Sequence, residues 1–124
     1  MKRVVFIISA IFLCSVLTWG QTWDLTSTMT ATLNGGILTI TTSKDSETMS
    51  WRGNRPWNAV RGNIIMVTIG SNITTIADQA FDDCPNLISV TLPNTLTSIG
   101  QGAFRRCSIL SSISRPPDSI LVYQ

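Results

Sequence analysis

The sequence predicts an α/β, β-rich solenoid, a stack of 23-residue units with parallel strands behind an N-terminal β-hairpin cap. Three observations predict it. First, residues 71–93 and 94–116 repeat one pattern, identical at Thr74/Thr97, Ile76/Ile99, Ala80/Ala103, Phe81/Phe104, Cys84/Cys107, Leu87/Leu110, Ser89/Ser112 and Pro93/Pro116. Ordinary composition would give about one or two such identities by chance. Five more pairs are nearly isosteric: Ile73/Leu96, Thr75/Ser98, Ala77/Gly100, Val90/Ile113 and Thr91/Ser114. A fixed period of this length marks units that bury their apolar faces only against their neighbours. Second, residues 56–70 align under 79–93, with Ile64, Val67, Thr68 and Ile69 beneath Leu87, Val90, Thr91 and Leu92. This is a degenerate first unit, in which Trp57 falls at the Ala80 position and Arg61 at the Cys84 position. Third, residues 22–42 read as a β element.

The ends frame this array. Lys2 and Arg3 precede an almost entirely apolar run over residues 4–17, and small residues follow before Gln21. That pattern predicts a signal peptide over residues 1–20, outside the fold. The run is short of the about 20 apolar residues a membrane span needs, so no transmembrane segment is expected in the mature chain. Losing Lys2 and Arg3 brings nine basic residues to seven, equal to the seven acidic ones. With that balance the case for nucleic acid as a partner disappears.

Within residues 22–42, Thr28-Met29-Thr30-Ala31-Thr32-Leu33 alternates, Asn34-Gly35-Gly36 is a turn, and Ile37-Leu38-Thr39-Ile40-Thr41 alternates again. Met29, Ala31 and Leu33 share one face, as do Leu38 and Ile40. A polar stretch, residues 43–56, completes the cap and loop at 21–57, with Met49 and Trp51 as its expected anchors. The repeats then occupy 58–116. In each full unit Ile-x-x-x-Ala-Phe-x-x-Cys-x-x-Leu is spaced as a short helical or turn segment, and Leu-x-x-Val-x-Leu alternates as a strand ended by Pro93 or Pro116. The expected core is Ile76, Ala80, Phe81, Cys84, Leu87 and Val90 in one unit. Ile99, Ala103, Phe104, Cys107, Leu110 and Ile113 repeat it in the next. Residues 117–124 form a tail whose apolar run, Ile120 to Tyr123, is expected to fold back as a cap.

The repeats at 73–93 (ITTIADQAFDDCPNLISVTLP) and 96–116 (LTSIGQGAFRRCSILSSISRP) resemble the BspA-like leucine-rich repeat family. So does the lead before them, with Trp23, ATLNGGILTI at 31–40, Pro56-Trp57 and IIMVTIG at 64–70. The resemblance covers almost the whole mature chain. It implies a leucine-rich repeat array in a secreted or cell-surface bacterial protein, and a role in adhesion or protein–protein interaction. It also implies that Cys84 and Cys107 occupy the family's recurring interior cysteine position. Two departures stand out: relatives carry many more repeats, and Arg115 replaces the apolar residue at the Leu92 position.

The residues offer little chemistry. No histidine occurs, so an orthodox catalytic triad and the commonest metal ligand are both excluded. The two cysteines outside the leader lie 23 residues apart, and no glycine-rich phosphate loop follows a strand. No catalytic, metal or cofactor site is therefore expected, and the protein reads as a non-enzymatic binding module. A host or matrix protein, or a glycan, is the expected partner, with Trp51, Trp57, Arg52 and Arg55 as candidate contacts. Trp57 equally suits a plug for the open end of the stack. Self-association of a short structural or envelope protein, or of a fragment of a longer repeat protein, is the alternative.

Stacking adds two expectations. Asp82 and Asp83 occupy the positions of Arg105 and Arg106 one unit on, so opposite charges face each other in a surface ladder. Cys84 and Cys107 are likewise stacked, placed either for a disulfide or as a layer of small buried hydrophobes.

Overall fold

The computed structural model of the chain describes residues 20–49 and 55–114, together with the backbone of Val4–Phe6 and Val122–Tyr123. In chain order the strands are β1 (Val4–Phe6), β2 (Gln21–Asp24), β3 (Met29–Asn34), β4 (Ile37–Thr42), β5 (Glu47–Thr48), β6 (Met66–Ile69), β7 (Ile73–Ile76), β8 (Ser89–Thr91), β9 (Ser98–Ile99), β10 (Ser112–Ser114) and β11 (Val122–Tyr123). They form a seven-stranded sheet, β1-β2-β3-β4-β6-β8-β10, and a four-stranded sheet, β11-β9-β7-β5.

Alternation shapes the first half of the long sheet. Met29, Ala31, Leu33, Leu38 and Ile40 all point into the core, and β3 pairs antiparallel with β4. Asn34 faces Ile37, so Gly35 and Gly36 alone make the connection, at φ +60° and +84°. Those angles are the reason the turn is glycine, since side chains resist the left-handed region. From β4 onward the sheet turns parallel, because each later strand returns only after a full circuit of the solenoid. Met66 faces Ser89, which faces Ser112, fixing the 23-residue period as strand register.

A short strand with no counterpart in the sequence reading opens each full unit: Ile73–Ile76 and Ser98–Ile99 belong to the second parallel sheet, with Ile73, Ile76 and Ile99 buried. The segment expected as short helix or turn, starting at Ile76 and Ile99, follows as turns: residues 78–83 and 101–106 form a wall stitched between layers. Gln79, Phe81 and Asp83 donate backbone N–H groups to the carbonyls of Gln101, Ala103 and Arg105 at 3.0, 2.7 and 2.8 Å. The helical component among the described residues is one 3₁₀ segment, Asn58–Asn63, in the degenerate unit.

That unit carries one residue more than the period. Trp57 stacks on Phe81 at 5.7 Å and 12°, and Phe81 on Phe104 at 5.4 Å and 14°. Trp57 thus stands in the phenylalanine column, 24 residues before Phe81, and not at the Ala80 position. The 3₁₀ segment, with Val60 off helical geometry, absorbs the extra residue before Ile64 restores the register. Of the expected core, Ile76, Ala80, Phe81, Cys84, Leu87, Val90, Ile99 and Ala103 are buried, while Phe104, Cys107 and Leu110 are only partly so. Ile113 is 42% exposed and does not belong to the core, because it sits on β10, the outer strand of its sheet.

The two ends also differ from a simple stack. The backbone of Val4–Phe6, expected outside the fold, lies antiparallel along β2. An apolar segment tethered beside an open sheet edge satisfies that edge. At the other end the backbone of Val122–Tyr123 adds in parallel to β9.

Candidate functional site

Neither sheet buries both of its faces, and the long one turns a wide face to solvent. Alternation that sends Met29, Ala31, Leu33, Leu38, Ile40, Val67 and Val90 inward sends hydroxyls outward. Register then lines those hydroxyls up. Thr22 faces Thr32, Thr32 faces Thr39, Thr39 faces Thr68, Thr68 faces Thr91, and Thr91 faces Ser114. Six neighbouring strands thus each contribute one hydroxyl to a single row. At about 4.8 Å per strand the row is about 24 Å long.

Shorter rows flank it. On one side Asp24 faces Thr30, which faces Thr41, leading into an open concavity of about 560 Å³ rimmed by hydroxyls from residues 26–28 and 42–43. On the other, Ile37 faces Met66, which faces Ser89 and then Ser112; Ile37 and Met66 are both exposed. The outward positions of β3, β4, β6, β8 and β10 carry no charged residue. Asp24, at the β2 corner, is the one charged residue among these outward positions; the rest of the face is neutral, rich in groups that both donate and accept, and bordered by aliphatic side chains.

One buried carboxylate anchors its corner. Glu47 is 9% exposed and accepts hydrogen bonds from the hydroxyls of Thr26 (3.0 Å), Thr28 (3.0 Å) and Thr42. Burial alone would raise its pKa, but the hydroxyls of Thr42, Thr26 and Thr28, with Lys44 nearby, outweigh that and hold it below the ordinary value. Glu47 therefore knots the 26–28 turn to β4 and β5, and every one of its hydroxyl partners is satisfied by the fold itself.

Charge collects instead on the wall of turns. Asp82, 6% exposed, takes Arg105 at 2.9 Å and Arg106 at 2.8 Å, while Asp83 pairs with Arg61 at 3.2 Å. The expected one-to-one ladder is thus corrected. Asp83 and Arg106 share a left-handed backbone position, φ +59° and +60°, and Asp83 turns back to the preceding layer. Hydrogen bonds from Arg105 and Arg106 outweigh burial and drive the Asp82 carboxyl far below the usual carboxylate range. Its depressed pKa means this contribution is complete above the unfolded carboxylate range, about pH 4, and is lost as pH falls through the folded value. Asp82→Asn is expected to lower stability at pH 7 by about 1–3 kcal/mol. Urea titrations should show the gap from wild type narrowing steadily below about pH 4; a gap independent of pH would refute the assignment.

The candidate contacts from the loop are dispersed. Trp57 is fully buried and donates Nε1–H to the Ala80 carbonyl at 3.0 Å, so it offers a ligand nothing and is withdrawn as a contact. Arg55 is spent on structure: it donates to the Gln79 carbonyl at 2.7 Å and to Asn58 Oδ1 at 3.1 and 3.3 Å. Trp51 and Arg52 lie outside the described residues. The hydroxyl row was not identified as a site from sequence. Its signal was present in the Thr-x-Thr spacing at 30–32 and 39–41 and in Thr68 matching Thr91, but a row appears only once strand order is known. Among the described residues no cluster of metal-ligating side chains occurs, and no helix is long and apolar enough to cross a membrane.

Residues 59–122 match the model of the BspA type Leucine rich repeat region (6 copies). Among solved structures, a leucine-rich repeat protein from Eubacterium ventriosum ATCC 27560 superposes with a TM-score of 0.74 at 31% identity, over 84% of this chain and 28% of that one. A leucine-rich repeat protein of T. pallidum, TpLRR, aligns at 27% identity with a TM-score of 0.42, over 68% of this chain and 34% of that one. The chain therefore spans less than a third of the first of these proteins. A search of curated proteins gives no match.

Proposed function

We propose, for a chain that belongs to the BspA-type leucine-rich repeat family, a secreted or cell-surface module that captures a protein partner across the outward face of its long sheet. Family membership itself points to protein–protein interaction and to binding modules without catalysis. The finer reading is adhesion to a host or matrix protein, after export directed by a signal peptide at residues 1–20. The observation that carries it is the six-strand hydroxyl row, neutral and bordered by exposed Ile37 and Met66. Such a row hydrogen-bonds without selecting for charge, and its aliphatic border supplies area to bury. Interfaces on protein partners combine those two features.

Thr39→Arg and Thr68→Arg, in the middle of the row, test it. Surface plasmon resonance against extracellular-matrix proteins should show affinity lost by at least about tenfold, equivalent to about 1.4 kcal/mol, with the circular dichroism spectrum unchanged. Capture of soluble polysaccharides and not of proteins would move the ligand to the glycan class. Binding that survives both substitutions but is abolished by Trp51→Ala would place the contact in the loop instead. Self-association is favoured by a separate observation: Ile109 and Ile113 in the last layer are 49% and 42% exposed. Light scattering at rising concentration checks it, a constant monomer mass counting against assembly.

A further inference from the structure

Cys84 and Cys107 occupy one position in successive layers. The hydrogen bonds from Phe81 N–H to the Ala103 carbonyl (2.7 Å) and from Asp83 N–H to the Arg105 carbonyl (2.8 Å) clamp those layers immediately before both cysteines. One layer step is about 4.8 Å, within the roughly 4.4–6.8 Å between Cα atoms that a disulfide requires. Both cysteines are free thiols in the structure. We propose that they form a reversible dithiol–disulfide pair joining the two full repeats, with Cys107 the sulfur that an incoming disulfide meets first.

The asymmetry of the pair supports the order of events. Cys84 is fully buried beneath the next layer, whereas Cys107 in the last layer is only half-buried. As a thiol, Cys107 donates to the Phe81 carbonyl at 3.0 Å, which holds its sulfur over the lower layer. As a thiolate it accepts the Cys84 S–H, and this contact chiefly draws the Cys107 pKa down to about 7, against the burial that raises it. The same contact, with burial, pushes the Cys84 thiol up. The accessible sulfur is thus the one whose thiolate the neighbouring Cys84 S–H favours, and thiolate character is what makes a cysteine react.

The oxidant is a low-molecular-weight disulfide of the glutathione class. Cys107 thiolate attacks one of its sulfurs, forming a mixed disulfide and releasing one thiolate. Cys84 then gives its proton to the departing thiolate and attacks the Cys107 sulfur, closing the Cys84–Cys107 bond and releasing the second thiolate. Two electrons pass from the cysteines to the donor, which leaves as two thiols. Excess dithiol reverses both steps.

The test uses the full chain with Cys14→Ser, so that only the stacked pair reacts. Incubated folded with oxidised glutathione, it should lose two hydrogens by intact mass and carry no glutathione. Dithiothreitol should restore the original mass. In the reduced protein, iodoacetamide should label Cys107 at least about tenfold faster than Cys84, as the difference in thiolate content and exposure requires. Adding Cys84→Ser should leave glutathione trapped on Cys107. Two free thiols persisting under oxidised glutathione, a mixed disulfide that never closes in the Cys14→Ser chain, or equal labelling of the two cysteines would each overturn the proposal.

Discussion

Phe81→Ala is expected to destabilise the protein by about 3–5 kcal/mol, the usual cost of emptying a buried aromatic site. Phe81 has no exposed surface and lies between Trp57 and Phe104, nearly parallel to both. Removing it leaves two rings facing a void that neither can fill. Trp57 is tied to the Ala80 carbonyl through Nε1, and the backbone on both sides is held by interlayer hydrogen bonds. A small domain has about 5–15 kcal/mol in total, so this one change consumes a large share of it. Phe104→Ala should cost distinctly less, since that ring is only partly buried. Equilibrium unfolding in urea measures both, and a Phe104→Ala variant as damaged as Phe81→Ala would contradict the column.

Gly100→Ala is the second large effect, expected to cost about 1–3 kcal/mol or more through overpacking. A Cβ built on Gly100 would stand 2.5 Å from Asp78 N and Oδ1 and 2.7 Å from the Ala77 carbonyl carbon. Two of those three atoms belong to the backbone, which cannot swing aside as a side-chain tip would. The Gly100 N–H bonds the Ile76 carbonyl at 2.8 Å and Asp78 Oδ1 accepts from the Gln101 N–H at 2.8 Å, so a shift to relieve the clash breaks the stitching between layers. Gly62→Ala is the control, because a Cβ there meets nothing within 4 Å. The pair should separate clearly in thermal melts, and equal melting would remove the packing argument.

The architecture was legible because repetition is a strong signal. Thr74/Thr97, Phe81/Phe104 and Ser89/Ser112 fixed the period, and the period proved to be strand register. The hairpin was legible from alternation around Gly35-Gly36, where the backbone angles admit little else. What was missed was local. The strand Ile73–Ile76 buries only its two end residues, three apart, so no alternation announces it. Sliding a fixed 23 residues back placed Trp57 at the wrong position, since a degenerate unit need not keep the period. Trp51 and Arg52 drew attention as an aromatic and a cation in a polar loop, whereas the row across the outward face is five threonines and a serine, individually inconspicuous residues. The buried Glu47 was invisible for a related reason: Thr26, Thr28 and Thr42 converge on it only after three strands have been assembled.

The common 23-residue register of both sheets and of the turn wall bears on heredity as much as on folding. From β6 to β10, contacts between layers join a residue to its counterpart one period on, or close to it. An in-frame duplication of one period therefore inserts a layer that finds partners already waiting on both sides, and it alters no contact elsewhere. A duplication of any other length shears all three walls at once. Gene-level lengthening and shortening of such a chain is accordingly quantised, and relatives can differ severalfold in length while preserving the same local structure.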